Sequence, residues 1–345
     1  MKKKFKPIIV LAAILLICCA IAAFIGYRFV FGSNIYVTDA KYLYIADNAD
    51  FQTVRDSLYK NFDVKNKSSF EFVAEKKNYP NKIKGGRYKI SNAMSNNALV
   101  NMLRSGNQCP VNLTFNNLRT VKQLCSTISK QLPVDSTKLY NLLQDNEFLK
   151  QYGFNSVNVG AMFIPDTYQF YWNTDEEKFI KKMYGTYCKF WTDERKAKAK
   201  AINLSQLEVS ILASIVQSEQ AAHKEEQPII AGIYLNRLRI EMPLQSCPTL
   251  IYALGDFSIR RLSFEMLETE SPYNTYKNPG LPPSCINFPE IPAIEAVLNP
   301  QKTDYLYMCA KSDFSGYHHF SVSYNEHVRF ANQFRKELDN RKIYK

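Results

Sequence analysis

The sequence predicts an α+β protein composed of an N-terminal transmembrane helix, a small α/β subdomain and a larger domain of mixed helices and strands. Three observations lead to this class: a long uncharged run near the start, short strand and helix patterns after it, and helical patterns separated by polar loops from residue 118 onward. The chain has 345 residues, of which 46% are hydrophobic. That content exceeds what one small core needs and predicts two or three domains.

The uncharged run extends from Ile8 to Tyr27. About 20 such residues cross the hydrocarbon layer of a bilayer as a helix. Lysines precede the run and only Arg28 follows it closely, so the N-terminus is expected in the cytoplasm and the rest of the chain outside. The sequence therefore predicts a cytoplasmic tail at residues 1–7 and a transmembrane helix at residues 8–30. A cleaved signal peptide is the alternative.

The net charge and the cysteine content exclude only a few classes of function. The formal net charge of +12 attracts polyanions of any kind. No zinc finger, RNA-recognition signature or basic zipper accompanies this charge, so nucleic acid is not a predicted partner. The eight cysteines contain no C-x-x-C pair. Their spacing therefore predicts no metal site, and their pairing stays open.

Residues 34–117 have the pattern of a small α/β domain. Gly85-Gly86 opens a compact strand–helix–strand unit at about 83–116. The predicted elements are, in order, short strands within 34–44, a helix over 50–62, a strand over 87–90, a helix over 95–104 ended by Gly106, and a returning strand through Val111, Leu113 and Phe115.

A mostly helical connecting region is predicted at residues 118–195. It is interrupted at 160–168 and contains one long amphipathic helix over 175–190. Residues 196–345 form the last predicted domain.

The clearest helix start in the chain is Ser205-Gln206-Leu207-Glu208, which has the spacing of a capping box. An apolar helix follows. At 100° per residue, Leu212, Val216 and Glu219 fall on one stripe of this helix. Gln217 points about 160° away from Glu219 by the same geometry. Glu219 is therefore expected on the buried face.

A carboxyl on an apolar face loses hydration of its charged form, so the pKa of Glu219 should rise toward the range in which it can donate a proton. This behaviour suits the general acid of a glycoside-cleaving reaction. In the alternative, Glu219 marks a frayed helix end and is paired with Arg237 or Arg239.

A second helix is predicted at residues 227–239, with Pro228 in its first turn, where the missing N–H costs nothing. Polar, proline-rich segments follow it. We interpret them as loops on a helical scaffold, where binding groups are expected. These segments are 242–249, 271–276, 280–283, 299–300, 305–307 and 318–320.

Several separated motifs occur in one order along the chain. They are Leu212 to Val216 with Glu219, Ala231-Gly232, Tyr234, Asn236-Arg237-Leu238, Met242, Leu244-Gln245, Pro248-Thr249, Tyr273 to Tyr276, Gly280 to Pro283, Tyr305 to Tyr307, Gly316, His318, Phe320 and His327. Together they resemble the endolytic murein transglycosylase family, the YceG-like proteins. Segments 163–168 and 86–106 also match, so the resemblance covers nearly the whole chain.

The resemblance implies a lytic transglycosylase that cleaves the bond between N-acetylmuramic acid and N-acetylglucosamine in nascent peptidoglycan and leaves 1,6-anhydro ends, which would end strand growth. Glu219 would act as the acid and base. The residues expected to hold the glycan are Gln245, Tyr273, Asn274, Tyr276 and His318. No metal or cofactor is implied.

The same resemblance assigns roles to the predicted domains. Residues 196–345 would be the catalytic YceG-like domain, and the unit at about 83–116 would be LysM-like. The expected location is the bacterial inner membrane, with the catalytic domain on the periplasmic side. Glycan strands and the membrane are the expected partners, and the anchored topology suggests peptidoglycan synthases as further ones.

The sequence departs from the family pattern in three places. Gln217 replaces a usual acidic residue, Cys247 a usual aspartate, and Ser284-Cys285 a usual glycine and proline. A thiol is a poorer hydrogen-bond acceptor than a carboxylate. A catalytically weak or inactive glycan-binding scaffold of the same family is therefore the alternative function.

Overall fold

The computed structural model describes residues 5–37, 39, 41–259, 261–341 and 343. The chain divides into two compact units. Unit 1 comprises residues 1–112 and 169–174, and unit 2 comprises residues 113–168 and 175–345.

Unit 1 begins with helix α1, Phe5–Phe31. Its segment Ile8–Phe31 is long and apolar enough to cross a membrane. The large side chains of this segment are exposed, as at Leu11 and Leu16. Residues 8–28 of this helix are exposed and mostly apolar, which suits a lipid environment, because water would solvate this surface poorly. The predicted apolar N-terminal helix is thus present, and it is compatible with a membrane anchor.

The rest of unit 1 combines three helices with short strands. The strands are β1 Ser33–Val37, β2 Tyr42–Ile45, β3 Phe62–Val64, β4 Gly86–Lys89 and β5 Met94–Ser95, and the helices are α2 Phe51–Asn61, α3 Lys67–Lys76 and α4 Asn96–Ser105. Strand β1 lies between β3 and β5, and β2 pairs with β4 in antiparallel register. Fully buried Leu58, Phe70 and Leu99 form part of one core between these elements.

The helices predicted over 50–62 and 95–104 are confirmed, with their caps. The Asp50 side chain accepts from the Thr53 N–H, and the Ser95 side chain accepts from the Ala98 N–H. Gly106 ends α4 at φ +75°, in the left-handed region that glycine adopts at low cost.

The returning strand is also confirmed, as β6 Val111–Phe115. Among the described residues, however, β6 pairs with β7, Asp166–Phe170, and not with β4. The partner of β4 is β2. The strand–helix–strand order of residues 83–116 is therefore present, but its two strands do not form a sheet of their own.

Unit 2 is predominantly helical. Its helices are α5 Val121–Ser129, α6 Ser136–Leu142, α7 Asn146–Lys150, α8 Glu176–Phe190, α9 Asp193–Ala201, α10 Gln206–Glu219, α11 Gln227–Arg239, α12 Cys247–Leu254, α13 Phe264–Leu267, α14 Ile291–Leu298 and α15 Tyr324–Asn340, with 3-10 turns at Val159–Met162 and Lys224–Glu226. The helices predicted over 175–190 and 227–239 are confirmed as α8 and α11.

Helix α10 lies at the centre of unit 2. Every residue from 209 to 216 is buried, because α10 packs against α11, α12 and α14. The predicted capping box is present: the Ser205 hydroxyl accepts from the Glu208 N–H, and Glu208 accepts from the Ser205 N–H.

Three of the segments predicted as loops, 242–249, 305–307 and 318–320, contain regular structure. Cys247-Pro248-Thr249 forms the first turn of α12, where proline is well tolerated. Tyr307 and His318 to Phe320 lie in the antiparallel hairpin of β8, Tyr307–Ala310, and β9, His318–Ser321, which packs on α15. The loop prediction was wrong there because short strands of mixed polarity give a weak period-two signal.

Candidate active site

Glu219 is the last residue of α10, and Gln220 caps the helix end. Residues 209–216 are buried, whereas Ser218 is exposed and Glu219 is partly exposed. The predicted stripe is thus confirmed as far as Val216, and it leads to a carboxyl at the edge of the core.

One oxygen of the Glu219 carboxyl is held by two donors. The Tyr234 hydroxyl from α11 donates to Oε1 at 2.7 Å, and the Ser246 hydroxyl donates to the same atom at 2.6 Å. No group among the described residues donates a hydrogen bond to Oε2. This oxygen is nevertheless accessible, because it is not one of the fully buried polar atoms that lack a partner. Oε2 is therefore the oxygen that can face a substrate.

Enclosure of this carboxyl raises the pKa of Glu219 above its ordinary value of 4.5. Loss of hydration is the main cause, and the hydrogen bonds from Ser246 and Tyr234 and the nearby His318 and Arg237 oppose it. The position at a helix C-terminus acts in the same direction as burial, because the helix dipole disfavours negative charge there. The net effect favours the protonated acid.

Neither arginine named as an alternative partner of Glu219 forms an ion pair with it among the described residues. Arg237 is buried and donates to the carbonyls of Leu306, Pro243 and Leu244. Arg239 is exposed. Arg237 thus joins the residue before β8 to the segment before Ser246, and it acts on Glu219 only through its positive charge.

Two of the residues predicted to hold glycan have exposed or partly exposed side chains near this carboxyl. Gln245 is exposed, with φ +50°, and its N–H donates to the Thr275 carbonyl at 3.0 Å. The Tyr276 hydroxyl lies 3.0 Å from the Cys247 sulfur. Cys247 is exposed as a residue, but loss of hydration around its sulfur, together with the nearby Glu219 carboxyl, raises the pKa of the thiol to about 11. Cys247 is therefore a neutral hydrogen-bonding partner of Tyr276 and not a reactive thiolate.

Tyr273 and Asn274 occupy the neighbouring turn. The Tyr273 hydroxyl lies 2.6 Å from the Ser284 hydroxyl, and its ring contacts the Tyr252 ring. Asn274 is fully buried, and its amide donates to the carbonyls of Leu267 and Thr269. This geometry favours a structural role for Asn274, which shapes the turn that presents Tyr273 and Tyr276.

His318 is the last predicted glycan-binding residue. It begins strand β9, and its Nδ1 lies 2.8 Å from Glu226 Oε2. The side chain is 13% exposed. The structure thus brings His318 and Glu219 into one neighbourhood, since His318 lowers the pKa of Glu219.

Sequence reasoning did not assign a site role to Tyr234, Ser246 or Glu226. Tyr234 was noted only as part of a motif, although a tyrosine inside an apolar helix needs a partner for its hydroxyl. Ser246 precedes a proline at a helix start, a position that ordinarily indicates a cap. Its hydroxyl instead contacts Glu219.

The residues that depart from the family pattern have defined contacts or surroundings in the structure. The Gln217 side chain accepts from the Glu290 N–H at 2.6 Å, so it joins α10 to the start of α14 and points away from Glu219 as predicted. Cys285 is buried in a small apolar cluster. Two of these positions contact predicted glycan-binding residues: Cys247 contacts Tyr276, and Ser284 contacts Tyr273.

One cavity of about 760 Å³ lies elsewhere in unit 2, between α9, α11 and the segment 300–304. It contains none of the predicted site residues. Its size alone does not make it the reactive site, because it lacks an enclosed acid or nucleophile.

Fold and site together define an α+β protein with a long apolar N-terminal helix and an enclosed, protonatable carboxyl at the end of a buried helix. The chain belongs to the YceG-like family, whose model matches residues 43–333.

Known proteins of the same family are similar in sequence to this chain over most of its length. An endolytic murein transglycosylase of Bacillus subtilis (strain 168) is 30% identical over 287 residues, covering 78% of this chain and 78% of that protein. One of Streptococcus pneumoniae serotype 2 is 29% identical over 340 residues, covering 88% of this chain but 61% of that protein. A crystal structure of a yceG-like protein of Listeria monocytogenes matches with a TM-score of 0.55 at 27% identity, covering 84% of this chain and 97% of that one. The family predicted from the motifs is confirmed.

Proposed function

We propose that this chain is a lytic transglycosylase that cleaves peptidoglycan glycan strands, with Glu219 as its acid and base. The family membership and the names of the relatives support the reaction class. The observation that carries the residue assignment is the Glu219 carboxyl, with Oε1 held by Tyr234 and Ser246 and Oε2 left open. Because burial keeps this carboxyl protonated to a higher pH, it can serve as a general acid.

The reaction needs no water. Glu219 gives its proton to the oxygen that bridges N-acetylmuramic acid and N-acetylglucosamine, and that C–O bond breaks. The muramyl 6-hydroxyl attacks the anomeric carbon and loses its proton, which restores the acid. The product carries a 1,6-anhydro ring, so one enclosed carboxyl can suffice where hydrolases use two.

Exposed and partly exposed aromatic and amide groups on the neighbouring segments would hold the sugar. In this proposal Tyr273 and Tyr276 contact pyranose rings, while Gln245 and His318 contact polar groups of the glycan. Asn274 acts indirectly, by shaping the turn that carries both tyrosines.

The decisive experiment incubates the detergent-solubilised full-length protein with peptidoglycan and measures anhydro ends by mass spectrometry. We expect them from the native chain and a loss of about 100-fold or more in Glu219→Gln, the usual contribution of a general acid. Glu265→Gln is the matched control, because Glu265 is exposed. Reducing muramyl ends would instead indicate hydrolysis.

A catalytically silent glycan-binding scaffold is the second candidate, and the Cys247–Tyr276 contact is the observation that favours it. Glycan strands that stay intact while they bind the native chain with measurable affinity would establish the scaffold and refute the enzyme.

The location and domain roles belong to the same proposal. We place α1 in the cytoplasmic membrane with residues 1–7 inside and the catalytic domain of residues 196–345 outside, where newly made strands and their synthases lie. The domain bounds 34–117 and 118–195 stay predictions, as does a LysM-like role for residues 83–116. The order β4, α4, β6 supports that role.

A further inference from the structure

The junction between α1 and the rest of unit 1 is short and packed. Helix α1 ends at Phe31, and β1 begins at Ser33. The Asn96 amide, at the start of α4, donates to the Phe29 carbonyl at 3.0 Å. The Phe29 ring contacts the Phe72 ring of α3 edge-on, with 5.8 Å between the ring centroids. The last turn of α1 is therefore packed against unit 1 without a spacer.

The length of the uncharged run fixes the depth of this junction in a bilayer. The run extends from Ile8 to Tyr27, and a helix of that length, about 30 Å, matches the thickness of the hydrocarbon layer. Arg28 is the next residue, so it lies among the lipid headgroups in the proposed topology. Phe29 and Phe72 lie at nearly the same depth because their rings are in contact. One side of α3 is thereby placed at the membrane surface.

The side of α3 that carries Phe72 has the composition of a membrane-contacting surface. The Phe72 ring remains 47% exposed. Lys76 lies one turn further along the same stripe, with its Nζ 5.6 Å from the centre of that ring. Helices that lie at a lipid surface pair aromatic side chains with lysines, because the ring enters the apolar boundary while the ammonium group reaches the phosphates.

A cavity of about 290 Å³ lies between α1 and the start of α3. Its α1 side contains the apolar Phe24 and Ile25, followed by Arg28, and its other side contains Asn66 and Ser69. The volume is at the lower end of the range for small-molecule sites, about 300 Å³. The cavity therefore suits a single headgroup and not a glycan strand.

The polar groups of this cavity are mainly hydrogen-bond donors. The Arg28 guanidinium forms no hydrogen bond or ion pair with any residue that the structure describes. Lys65 also lines the cavity, but its charge is balanced by Asp63, 2.6 Å away. The Asn66 side-chain oxygen accepts from the Ser69 N–H at 2.9 Å, which leaves the Asn66 NH₂ group as a donor. An unpaired guanidinium beside an amide donor is suited to a phosphate oxyanion.

We propose that this side of unit 1 docks on the outer surface of the membrane, and that the cavity beside Arg28 binds the phosphate of an anionic phospholipid. The inference rests on the proposed location of α1. A lipid fits better than free phosphate, because Phe24 and Ile25 continue the cavity into the apolar layer, where acyl chains lie. The bound headgroup fixes the orientation of unit 1 on the bilayer.

Lipid titration of the detergent-solubilised full-length protein, followed by native mass spectrometry, tests the cavity. We expect the native chain to retain phosphatidylglycerol in preference to phosphatidylcholine. Arg28→Gln should weaken this binding by about fivefold or more, the usual effect of one basic residue at an anionic surface. Lys84→Gln is the matched control, because Lys84 donates to the Ser105 carbonyl at the far end of α4, about 14 Å along the helix from Asn96.

Three outcomes of this titration would overturn the proposal. They are equal retention of the two lipids by the native chain, Arg28→Gln binding within about twofold of native, and displacement of phosphatidylglycerol by excess inorganic phosphate. The last outcome would identify a site for free phosphate.

The docked side of α3 is tested by fluorescence of the full-length protein in bilayers. Phe72→Trp should add emission that is quenched by lipids brominated close to the headgroup. Ser105→Trp, exposed at the far end of α4, should add emission that these lipids do not quench. Equal quenching of the two added signals, or none of either, would refute docking.

Failure of this inference is distinguishable from failure of the proposals on which it depends. A native chain that stays in the membrane fraction, yet shows neither lipid preference nor quenching at residue 72, would refute only the docking and the headgroup site. A native chain that leaves the membrane fraction would refute the location of α1 itself. Formation of anhydro ends is measured independently of both.

Discussion

The Glu219 carboxyl is subject to two opposing effects. Burial and the helix C-terminus favour its neutral form, while the hydroxyls of Tyr234 and Ser246 stabilise its charged form. Burial is the larger effect, and the pKa rises. The donors therefore orient the group and keep its ionised form accessible, as a residue needs when it must first give a proton and later recover one.

Removal of one donor should shift the pH profile. Tyr234→Phe removes a hydrogen bond that lowers the pKa of Glu219, so the alkaline limb of kcat/KM should move to higher pH. The rate at the optimum should fall by no more than about tenfold, since one orienting hydrogen bond is lost. Tyr168→Phe is the control, because the Tyr168 hydroxyl donates to the Ile164 carbonyl and to no other group among the residues that the structure describes. An alkaline limb that moves to lower pH would contradict the assignment.

The same carboxyl should make stability depend on pH. Its folded pKa lies above its ordinary value of 4.5, so its contribution is fully present below that value and is lost as pH rises through the folded pKa. Glu219→Gln cannot ionise. The Tm of this variant minus the native Tm should therefore be larger at pH 8 than at pH 4, measured by thermal unfolding. A difference that stays constant with pH would mean that the carboxyl is fully hydrated.

At the scale of the element, α10 sets the position of this carboxyl. The capping box at Ser205 fixes where the helix begins, and so determines that Glu219 ends it. A side-chain cap, as in α2, α4, α8 and α10, or a proline in the first turn, as in α11, is local in sequence, which explains why these helices were predictable. The β8–β9 hairpin was not, because its pairing depends on contact with α15.

Loss of the cap should weaken unit 2. Ser205→Ala leaves the Glu208 N–H without its acceptor and should cost about 1 kcal/mol of unfolding free energy. Urea unfolding can be followed by Trp191, which is buried in this unit, in a Trp172→Phe background. Ser129→Ala is the control, because Ser129 is partly exposed, ends α5 and caps no helix start. Equal midpoints for the two variants would contradict a stabilising cap.

At the scale of the whole molecule, α1 is the feature that would keep the enzyme near nascent strands. Leu15→Arg with Ile17→Arg should cost about 2.5–3.5 kcal/mol per charge at the helix centre. We expect this variant to leave the membrane fraction after alkaline extraction, while Leu15→Ile with Ile17→Leu stays in it. Retention of the arginine variant in the membrane would show that something other than α1 anchors the chain.

The sequence by itself determined the apolar N-terminal helix, the main helix starts, and Glu219 as the carboxyl that ends an apolar helix, because each depends on neighbours within a few turns. Only the tertiary structure decided which groups surround that carboxyl. Tyr234 and Ser246 lie 15 and 27 residues away along the chain, and Glu226 meets His318 across 92 residues. No local pattern encodes such contacts, since they form only when α10, α11 and the hairpin pack together.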